Sequence, residues 1–398
     1  MRIGIVGLGM GGATLACLLA DRGVDVTVLE QAEDPRPVGA GIWLQAMGQA
    51  VLDRIDLLEP LAAVSRPVSR VRIETSTGRE LLDFGYDAVP GAAPALGVHR
   101  GALFGLLHEA VLARGVPVHL GVPVSGVRPT TAGVTVETPS GDHSSYDLVV
   151  GCDGSRSSVR RSMNVTVRDR EYEYGALWAI VDDPEALAAD CLFQSLRGTR
   201  EYLGVLPTGQ DRSSVFWSVR RRDMHAVVTR GLPAWREGAR PLAGRFAPLL
   251  DGVEELLPAG YRDVATRTPY RVDGARGAVL VGDAAHAMSP QLGTGTSLAL
   301  ADAWALDHAL AGQADVPRAL AAYAAGRAGH VRWYQWLTRL MMPVFQSDLT
   351  PLAWPRDLLA PAVMRVPGMT GQMVATLLGD RTSPWSAWAL PTHEGSAR

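Results

Sequence analysis

The stretch IGIVGLGMGGATLACLLADRGVDVTVLE, residues 3–30, decides the fold of this chain. It begins with a β-branched apolar run, which predicts a strand, and it ends with a second such run. Between the two runs lie a glycine-rich turn and a helical pattern that extends to about Arg22. This order of strand, turn, helix and strand is typical of a βαβ unit that binds a dinucleotide. It predicts an α/β protein with a Rossmann-like domain.

Each glycine of the turn has a physical task. Gly7 permits the tight turn, Gly9 lets the backbone approach a pyrophosphate, and Gly12 allows close contact between helix and strand. The N-terminus of the helix offers unpaired N–H groups and the positive end of its dipole to the phosphates. Glu30, which ends the second strand, can accept hydrogen bonds from an adenosine ribose. The unit does not distinguish NAD from FAD, because enzymes of both kinds use it.

Two later strands also end in acidic residues beside glycines. A buried-looking run at residues 147–152 precedes Asp153 and Gly154, and another at 277–282 precedes Asp283. In an open α/β sheet, ligand groups bind beyond the carboxyl ends of the strands. Because only the first strand carries the full glycine fingerprint, one large dinucleotide fits these strand ends better than two separate nucleotide domains.

These three motifs, in this order, resemble those of the class A FAD-dependent monooxygenases, the para-hydroxybenzoate hydroxylase-like family of flavoprotein hydroxylases. The resemblance covers about residues 1–330. It implies tightly bound FAD, with NADPH or NADH as co-substrate and O₂ as oxidant. The cofactor-binding residues that it implies are Gly7, Gly9, Gly11, Gly12, Glu30, Gln31, Gly41, Arg100, Val124, Asp283, Pro290, Gly293, Gly295, Thr296 and Ser297.

The resemblance also implies roles for some of these residues. Asp283 is expected to bind the ribityl or pyrophosphate part of FAD, and Arg100, at a helix start, to approach the pyrophosphate. Residues 293–297 are expected to bring N–H groups and a positive helix end to the pyrimidine edge of the flavin. There they would stabilise the negative charge of the reduced form. Since no second fingerprint is present, NAD(P)H is expected to visit an open cleft. Its candidate contacts are Asp153, Gly154 and Arg156.

The activity implied is that of an NAD(P)H- and O₂-dependent monooxygenase. It would hydroxylate or epoxidise an aromatic or polycyclic small molecule through a flavin C4a-hydroperoxide, so no side chain need be catalytic in the usual sense. Two alternatives stay open: an FAD-dependent oxidase or reductase of the same fold, including a Baeyer–Villiger oxygenase, and a non-catalytic flavin-binding sensor. A disulfide reductase is disfavoured because no cysteine pair follows Glu30.

The middle of the chain has a different pattern. Residues 171–264 contain short runs rich in β-branched and aromatic residues, which predict an antiparallel sheet. The resemblance implies that this sheet covers the flavin and supplies one wall of the substrate pocket. The candidates for this lining are Trp178, Gln194, Tyr202, Trp217 and Pro290, although each aromatic could equally belong to the core. We expect three regions: an FAD-binding domain of residues 1–68, 87–170 and 265–330, a substrate-binding domain of residues 69–86 and 171–264, and a C-terminal helical segment of residues 331–398. For the last, a cap on the cavity or a place in the core is favoured over a dimer contact or a membrane surface.

The composition sets limits on function. Charged residues make up 20% of the chain, hydrophobic residues 47%, and the net charge is −3, so no basic field favours nucleic acid. All 38 basic residues are arginine, which excludes chemistry that requires a lysine. No histidine spacing suggests a metal site, and no apolar run is long enough for a membrane span. The three cysteines form no C-x-x-C pair, and we expect a cytoplasmic monomer or homodimer.

Overall fold

The computed structural model describes residues 1–35, 39–131 and 133–391, with the side chain of Asp142 left out. A six-stranded sheet contains both strands of the N-terminal stretch, and its strands run parallel except for one antiparallel edge strand. In spatial order the strands are β18 (Tyr270–Asp273), β19 (Arg276–Leu280), β12 (Leu148–Gly151), β1 (Arg2–Val6), β2 (Asp25–Leu29) and β8 (Val118–His119).

The predicted βαβ unit is present at the centre of this sheet. Helix α1 (Met10–Asp21) connects β1 to β2, and most of its residues are buried. It packs in the main hydrophobic core, which it shares with helix α10 (Gly295–Gly312). Gly12 is needed for this packing, since a Cβ atom there would lie 2.1 Å from the carbonyl oxygen of Gly7.

A seven-stranded sheet, mostly antiparallel, forms the second layer of the structure. In spatial order its strands are β17 (Leu257–Thr266), β13 (Thr166–Asp182), β16 (Arg212–Arg220), β15 (Glu201–Gly209), β14 (Cys191–Arg197), β5 (Arg70–Thr75) and β6 (Glu80–Gly85). The hairpin β5–β6 joins through a parallel pairing of β5 with β14. Side chains alternate between the two faces of each strand, so one face packs on helices and the other is free to line a cavity.

Three small sheets and the remaining helices complete the fold. The small sheets contain β3 (Gly41–Leu44), β7 (Ala95–His99) and β4 (Arg66–Val68); β11 (Gly141–Tyr146), β10 (Gly133–Thr138) and β9 (Gly126–Thr130); and β20 (Arg381–Ser383) and β21 (Ser386–Ala387). The remaining helices are α2 (Ala46–Asp53), α3 (Leu58–Ala63), α4 (Arg100–Ala113), α5 (Ser158–Met163), α6 (Arg221–Arg230), α7 (Leu232–Ala243), α8 (Ala247–Asp251), α9 (Asp283–His286), α11 (Val316–Phe345), α12 (Ala353–Met364) and α13 (Met369–Leu377). In the described part of the chain, none of these helices has the length and apolar character of a membrane span.

The expected limits at residues 170/171, 264/265 and 330/331 fall inside continuous elements, namely β13, β17 and α11. The composition changes along β13 because its first half is largely exposed and its second half is buried. Helix α11 continues through Gly326 and Gly329, where no neighbouring atom constrains a side chain closely. Residues 392–398, the end of the expected C-terminal segment, lie outside the described residues.

Candidate functional site

The three motif strands, β1, β12 and β19, are neighbours in the six-stranded sheet, and their carboxyl ends border one cleft of about 440 Å³. The other wall of the cleft comes from the seven-stranded sheet. Among the expected site residues, those that line the cleft are Gly9, Gly11, Gly41, Arg100, Gly154, Trp178, Gln194, Tyr202, Asp283, Pro290, Gly293, Gly295 and Thr296. Those that do not line it are Gly7, Gly12, Glu30, Gln31, Val124, Asp153, Arg156, Trp217 and Ser297.

The glycines around the cleft fall into two groups. Gly7 has φ +100° and a Cβ atom there would lie 2.6 Å from the carbonyl oxygen of Cys152, so the protein itself requires a glycine. At Gly9, with φ −70°, the nearest atom would be 3.9 Å away, and at Gly295 nothing would lie within 4 Å. The space that a side chain would fill at these two positions belongs to the cleft. This fits a cofactor that approaches the backbone there.

Glu30 lies next to the glycine turn, where backbone groups fix its carboxylate. Its Oε2 accepts a hydrogen bond from the backbone N–H of Leu8 at 2.8 Å, and its Oε1 accepts one from Ala32 at 2.9 Å. A carboxylate has further lone pairs, so it can still accept ribose hydroxyls. Gln31 follows it in an exposed position. Val124 is half-buried with its side chain in a core cluster, so only its backbone is suited to a cofactor contact.

The second motif, Asp153 and Gly154, contacts mainly other parts of the protein. Asp153 Oδ2 accepts hydrogen bonds from the backbone N–H groups of Ser158, at 2.7 Å, and Val159, at 3.2 Å, which are free N–H groups in the first turn of α5. Gly154, with φ +75°, lines the cleft. Arg156 is exposed, lies 3.6 Å from Glu171 and does not line the cleft.

Sequence reasoning missed Arg160, which connects the second motif to the third. Its side chain is fully buried, and it donates hydrogen bonds of 2.8 Å to the carbonyl oxygens of Ala284 and Ser155 and to Asp169 Oδ2. The sequence marks Arg160 only as an arginine four residues after Arg156, in the short helix α5. Because arginine is usually exposed, that place alone did not single it out.

The third motif brings an acid and a helix end to the cleft. Asp283 faces the cleft at the start of α9; desolvation by the surrounding protein raises its pKa, and the positive charges of His286 and Arg100 partly oppose this. Helix α10 begins at Gly295, and the first N–H groups of a helix have no acceptor within it. Ser297 Oγ accepts a hydrogen bond from the backbone N–H of Gln45 at 3.3 Å and faces α2, so the expected contact of Ser297 with a flavin concerns its backbone N–H rather than its side chain.

A buried polar network, also missed from the sequence, lies behind this motif. Asp302 Oδ2 accepts hydrogen bonds from the backbone N–H of Gly282, at 2.8 Å, and from His286 Nε2, at 2.6 Å. Asp302 Oδ1 accepts one from Arg327 Nε at 2.7 Å. Burial alone would raise the pKa of Asp302, but the charges of His286 and Arg327 and these hydrogen bonds hold that pKa well below its usual range. The network fixes Gly282, which has φ +62° and immediately precedes Asp283.

The network extends to the C-terminal part of the chain through His330. One ring nitrogen of His330 contacts Arg327, and the other donates to the carbonyl oxygen of Gly379 at 2.6 Å. The ring of Trp388 stacks on His330, with centroids 5.1 Å apart, and the Arg327 guanidinium lies 4.4 Å from the same ring. Burial and the nearby Arg327 charge lower the pKa of His330 to about 3. Residues 379–388 therefore pack directly on the buried polar network that holds the third motif in place.

The wall opposite the motifs is a row of side chains across the seven-stranded sheet. Trp178 pairs with Phe216, which pairs with Gly204, which pairs with Gln194, so the four lie side by side. The indole of Trp178 packs on the Phe216 ring with centroids 4.7 Å apart. All except Gly204 line the cleft, together with Tyr202, two residues from Gly204 on the same strand.

The prediction that Trp217 lines the pocket was wrong. Its side chain lies on the opposite face of the sheet, in a core cluster with α7, where a Cβ atom on Gly238 would be 2.7 Å from the indole. Neighbouring residues of a strand face opposite sides, so an error of one residue in register exchanges Phe216 for Trp217.

A dinucleotide cleft at the ends of parallel strands, closed by the face of a second sheet, defines a flavoprotein hydroxylase of class A. Residues 1–334 match the model of the FAD binding domain family, and the chain belongs to this family. It is 30% identical over 327 residues to an aurachin C monooxygenase/isomerase of Stigmatella aurantiaca, covering 81% of this chain and 84% of the relative. It is 28% identical over 378 residues to a 3-hydroxybenzoate 6-hydroxylase of Klebsiella oxytoca, covering 87% and 89%.

A solved structure shows the same fold. It is that of HpxO from Klebsiella pneumoniae in complex with FAD and uric acid, with a TM-score of 0.79 at 22% identity, covering 95% of this chain and 97% of that one. With the family match and the named relatives, this makes the protein an FAD-dependent monooxygenase, as the sequence motifs indicated.

Proposed function

We propose that this enzyme uses NAD(P)H and O₂ to hydroxylate an electron-rich aromatic or polycyclic small molecule. The observation that carries the proposal is the position of the aromatic row of Trp178 and Phe216, which faces the ends of the three motif strands across one cleft. A planar substrate held against this row would lie beside the ring of a cofactor whose diphosphate rests at the glycine turn. The relatives named for 3-hydroxybenzoate and aurachin C support an aromatic substrate.

The residues of the chain bind the cofactor, orient the substrate and exclude water. The turn at Gly9 admits the pyrophosphate, Glu30 accepts the ribose hydroxyls, and Asp283 holds the ribityl chain from the third motif. The N-terminal N–H groups of α10 stabilise negative charge at the pyrimidine edge of the flavin. When bound, FAD supplies the electron transfer and the activation of O₂. The apolar wall around Trp178 keeps bulk water from the reacting atoms.

NAD(P)H is proposed to enter from the solvent side of the second motif. Gly154 lines the cleft there, and Arg156 is the exposed cation nearest to it in sequence. Asp153 precedes both residues and follows the buried strand β12. Replacement of Arg156 by Ala should raise the KM for NAD(P)H and leave bound FAD unchanged. Loss of FAD from this variant would contradict the assignment.

The test of the proposed function has two parts. Purified holoenzyme is supplied with NAD(P)H and a panel of phenols, quinolines and polycyclic aromatics, and O₂ uptake and product mass are measured. A substrate should accelerate NAD(P)H oxidation, with one oxygen atom added to the product for each NAD(P)H consumed. Accelerated oxidation in which all O₂ is recovered as hydrogen peroxide would favour an oxidase, and a flavin that stays oxidised with every compound would favour a sensor.

A matched pair of glycine variants tests the cofactor site. The control is Gly105, which lies in the interior of α4. Like Gly9, it has room for a Cβ atom within the protein. Gly105→Ala should fold and keep its flavin. Gly9→Ala should fold equally well, as judged by circular dichroism, but lose flavin, because the methyl group occupies the space assigned to the pyrophosphate. Equal flavin content in the two proteins would exclude Gly9 as a cofactor contact.

A further inference from the structure

A second cavity, of about 270 Å³, lies beside the cleft between the seven-stranded sheet and helices α11 and α13. Its walls overlap with those of the cleft, because several residues line both. These shared residues are Trp43, Leu192, Gln194, Tyr202 and Gln291. The two cavities are therefore adjacent, and a molecule held against the aromatic row of the cleft would enter the second cavity, which we call the side cavity, by passing these side chains.

The side cavity has an apolar, uncharged lining. Its side chains come from β5, β6, α11 and α13, with Ile73, Phe84, Leu337 and Met373 as examples. In the part of the chain that the structure describes, none of the lining residues is Arg, His, Asp or Glu. The polar ones are neutral, and burial raises the pKa of Tyr202, which keeps its phenol protonated. A carboxylate placed here would lose its hydration without gaining a cation, which is costly.

The shared wall offers neutral hydrogen-bonding groups. Trp43 Nε1 and Gln291 Oε1 are both buried and lack a hydrogen-bond partner in the described chain. The amide of Gln291 is oriented by its Nε2, which donates to Gln346 Oε1 at 2.5 Å. Neither atom has accessible surface in the cavity wall as it stands, so each becomes available only if its side chain turns towards a ligand. The shared wall offers no charge to a carboxylate.

The charged groups of the neighbouring cleft do not alter this chemistry. Arg100 and Asp283 line the cleft on the cofactor side but are not among the residues of the side cavity. Both are already assigned to FAD in the proposed function.

We propose that the side cavity binds a hydrocarbon substituent, an alkyl chain or a fused ring, of an uncharged aromatic substrate. The enzyme would then act on neutral, lipophilic phenols or heteroaromatics in preference to aromatic carboxylates. This inference rests on the proposed function, since it assumes that the reacting ring lies in the cleft.

The experiment measures ligand binding to the FAD-loaded enzyme from changes in flavin absorbance, without turnover. The probes are 4-alkylphenols from 4-methylphenol to 4-heptylphenol, 4-hydroxybenzoate, and a 4-alkylphenol with a terminal carboxylate on the chain. Each methylene that enters the cavity should lower the Kd about fourfold. The chain-terminal carboxylate should raise the Kd at least about tenfold relative to the methyl-ended chain of equal length.

Two variants and a control locate the effect. Leu337 and Met373 line the side cavity, whereas Leu340, one turn along α11 from Leu337, is 57% exposed. Leu337→Trp and Met373→Trp add bulk inside the cavity and should abolish the gain from chain length while leaving the Kd of 4-methylphenol unchanged. Leu340→Trp adds the same bulk on the solvent side and should behave as the wild type.

The proposal is overturned if the Kd does not depend on chain length, if carboxylates bind as tightly as neutral probes, or if Leu340→Trp has the same effect as Leu337→Trp. A failure of the proposed function can be distinguished from these results. Binding that depends on chain length, without any acceleration of NAD(P)H oxidation by a bound probe, would support the side cavity and contradict the proposed reaction.

Discussion

The buried His330 makes a quantitative prediction about the effect of pH on stability. Its pKa is lowered from 6.5 to about 3 by burial and by the charge of Arg327, with Asp302 and the carbonyl of Gly379 opposing this. Between these two values the unfolded chain binds a proton on this ring and the folded protein does not. The free energy of unfolding therefore falls as the pH falls through this window.

The size of the effect follows from the two pKa values. Between about pH 7.5 and about pH 5, His330 alone should lower the free energy of unfolding by about 2 kcal/mol. In the His330→Asn variant this contribution disappears, although the variant is less stable than the wild type near pH 7.5 because it loses the hydrogen bond to Gly379. Asp302 does not interfere, because its pKa lies below this range in both the folded and the unfolded states.

The assay is urea unfolding of both proteins at the two pH values, followed by flavin fluorescence and circular dichroism. The decisive quantity is the change of stability with pH in the wild type minus the same change in the variant. A difference of about 2 kcal/mol is expected. If both proteins lose the same stability on acidification, His330 titrates normally in the folded state and the reasoning is wrong.

Three further predictions follow from the same structure. Asp302→Asn leaves the charge of Arg327 buried without a counter-ion, so it should cost about 3–5 kcal/mol of stability and weaken FAD binding, as measured by thermal unfolding and flavin titration. Trp178→Phe should raise the KM for the aromatic substrate, whereas Trp217→Phe should leave steady-state kinetics unchanged; the reverse result would place the wrong face of the sheet in the cleft. Gly12→Ala should yield little folded protein on expression, and a stable, yellow variant would contradict the close packing described for that glycine.

The part of the site that could be predicted from sequence is the part that local geometry determines. The glycine turn after β1 and the acid at the end of β2 follow from spacing along the chain. The meeting of the three motifs also follows, because strands that run parallel present their carboxyl ends at the same edge of a sheet. Those rules need no knowledge of side-chain packing between distant segments.

The residues that were missed depend on such packing. Phe216 and Trp217 are equally aromatic neighbours, and only the register of β16 against β13 decides which of them faces the cleft. Arg160 and Asp302 are charged residues on helices, where a solvated position is the ordinary expectation. Their burial results from partners far away in sequence, such as Ala284 for Arg160 and Arg327 for Asp302.

The continuous strand β13 has a consequence for how substrate enters. Asp169, which pairs with Arg160, and Trp178, in the aromatic row, belong to this same strand, about 30 Å apart at the usual rise per residue. Separating the two walls of the cleft by rotation would bend this strand and disturb its pairing with β17 and β16. Outward motion of α13 would break no strand pairing, so we expect ligands to exchange through the helical side of the molecule while the two sheets keep their spacing.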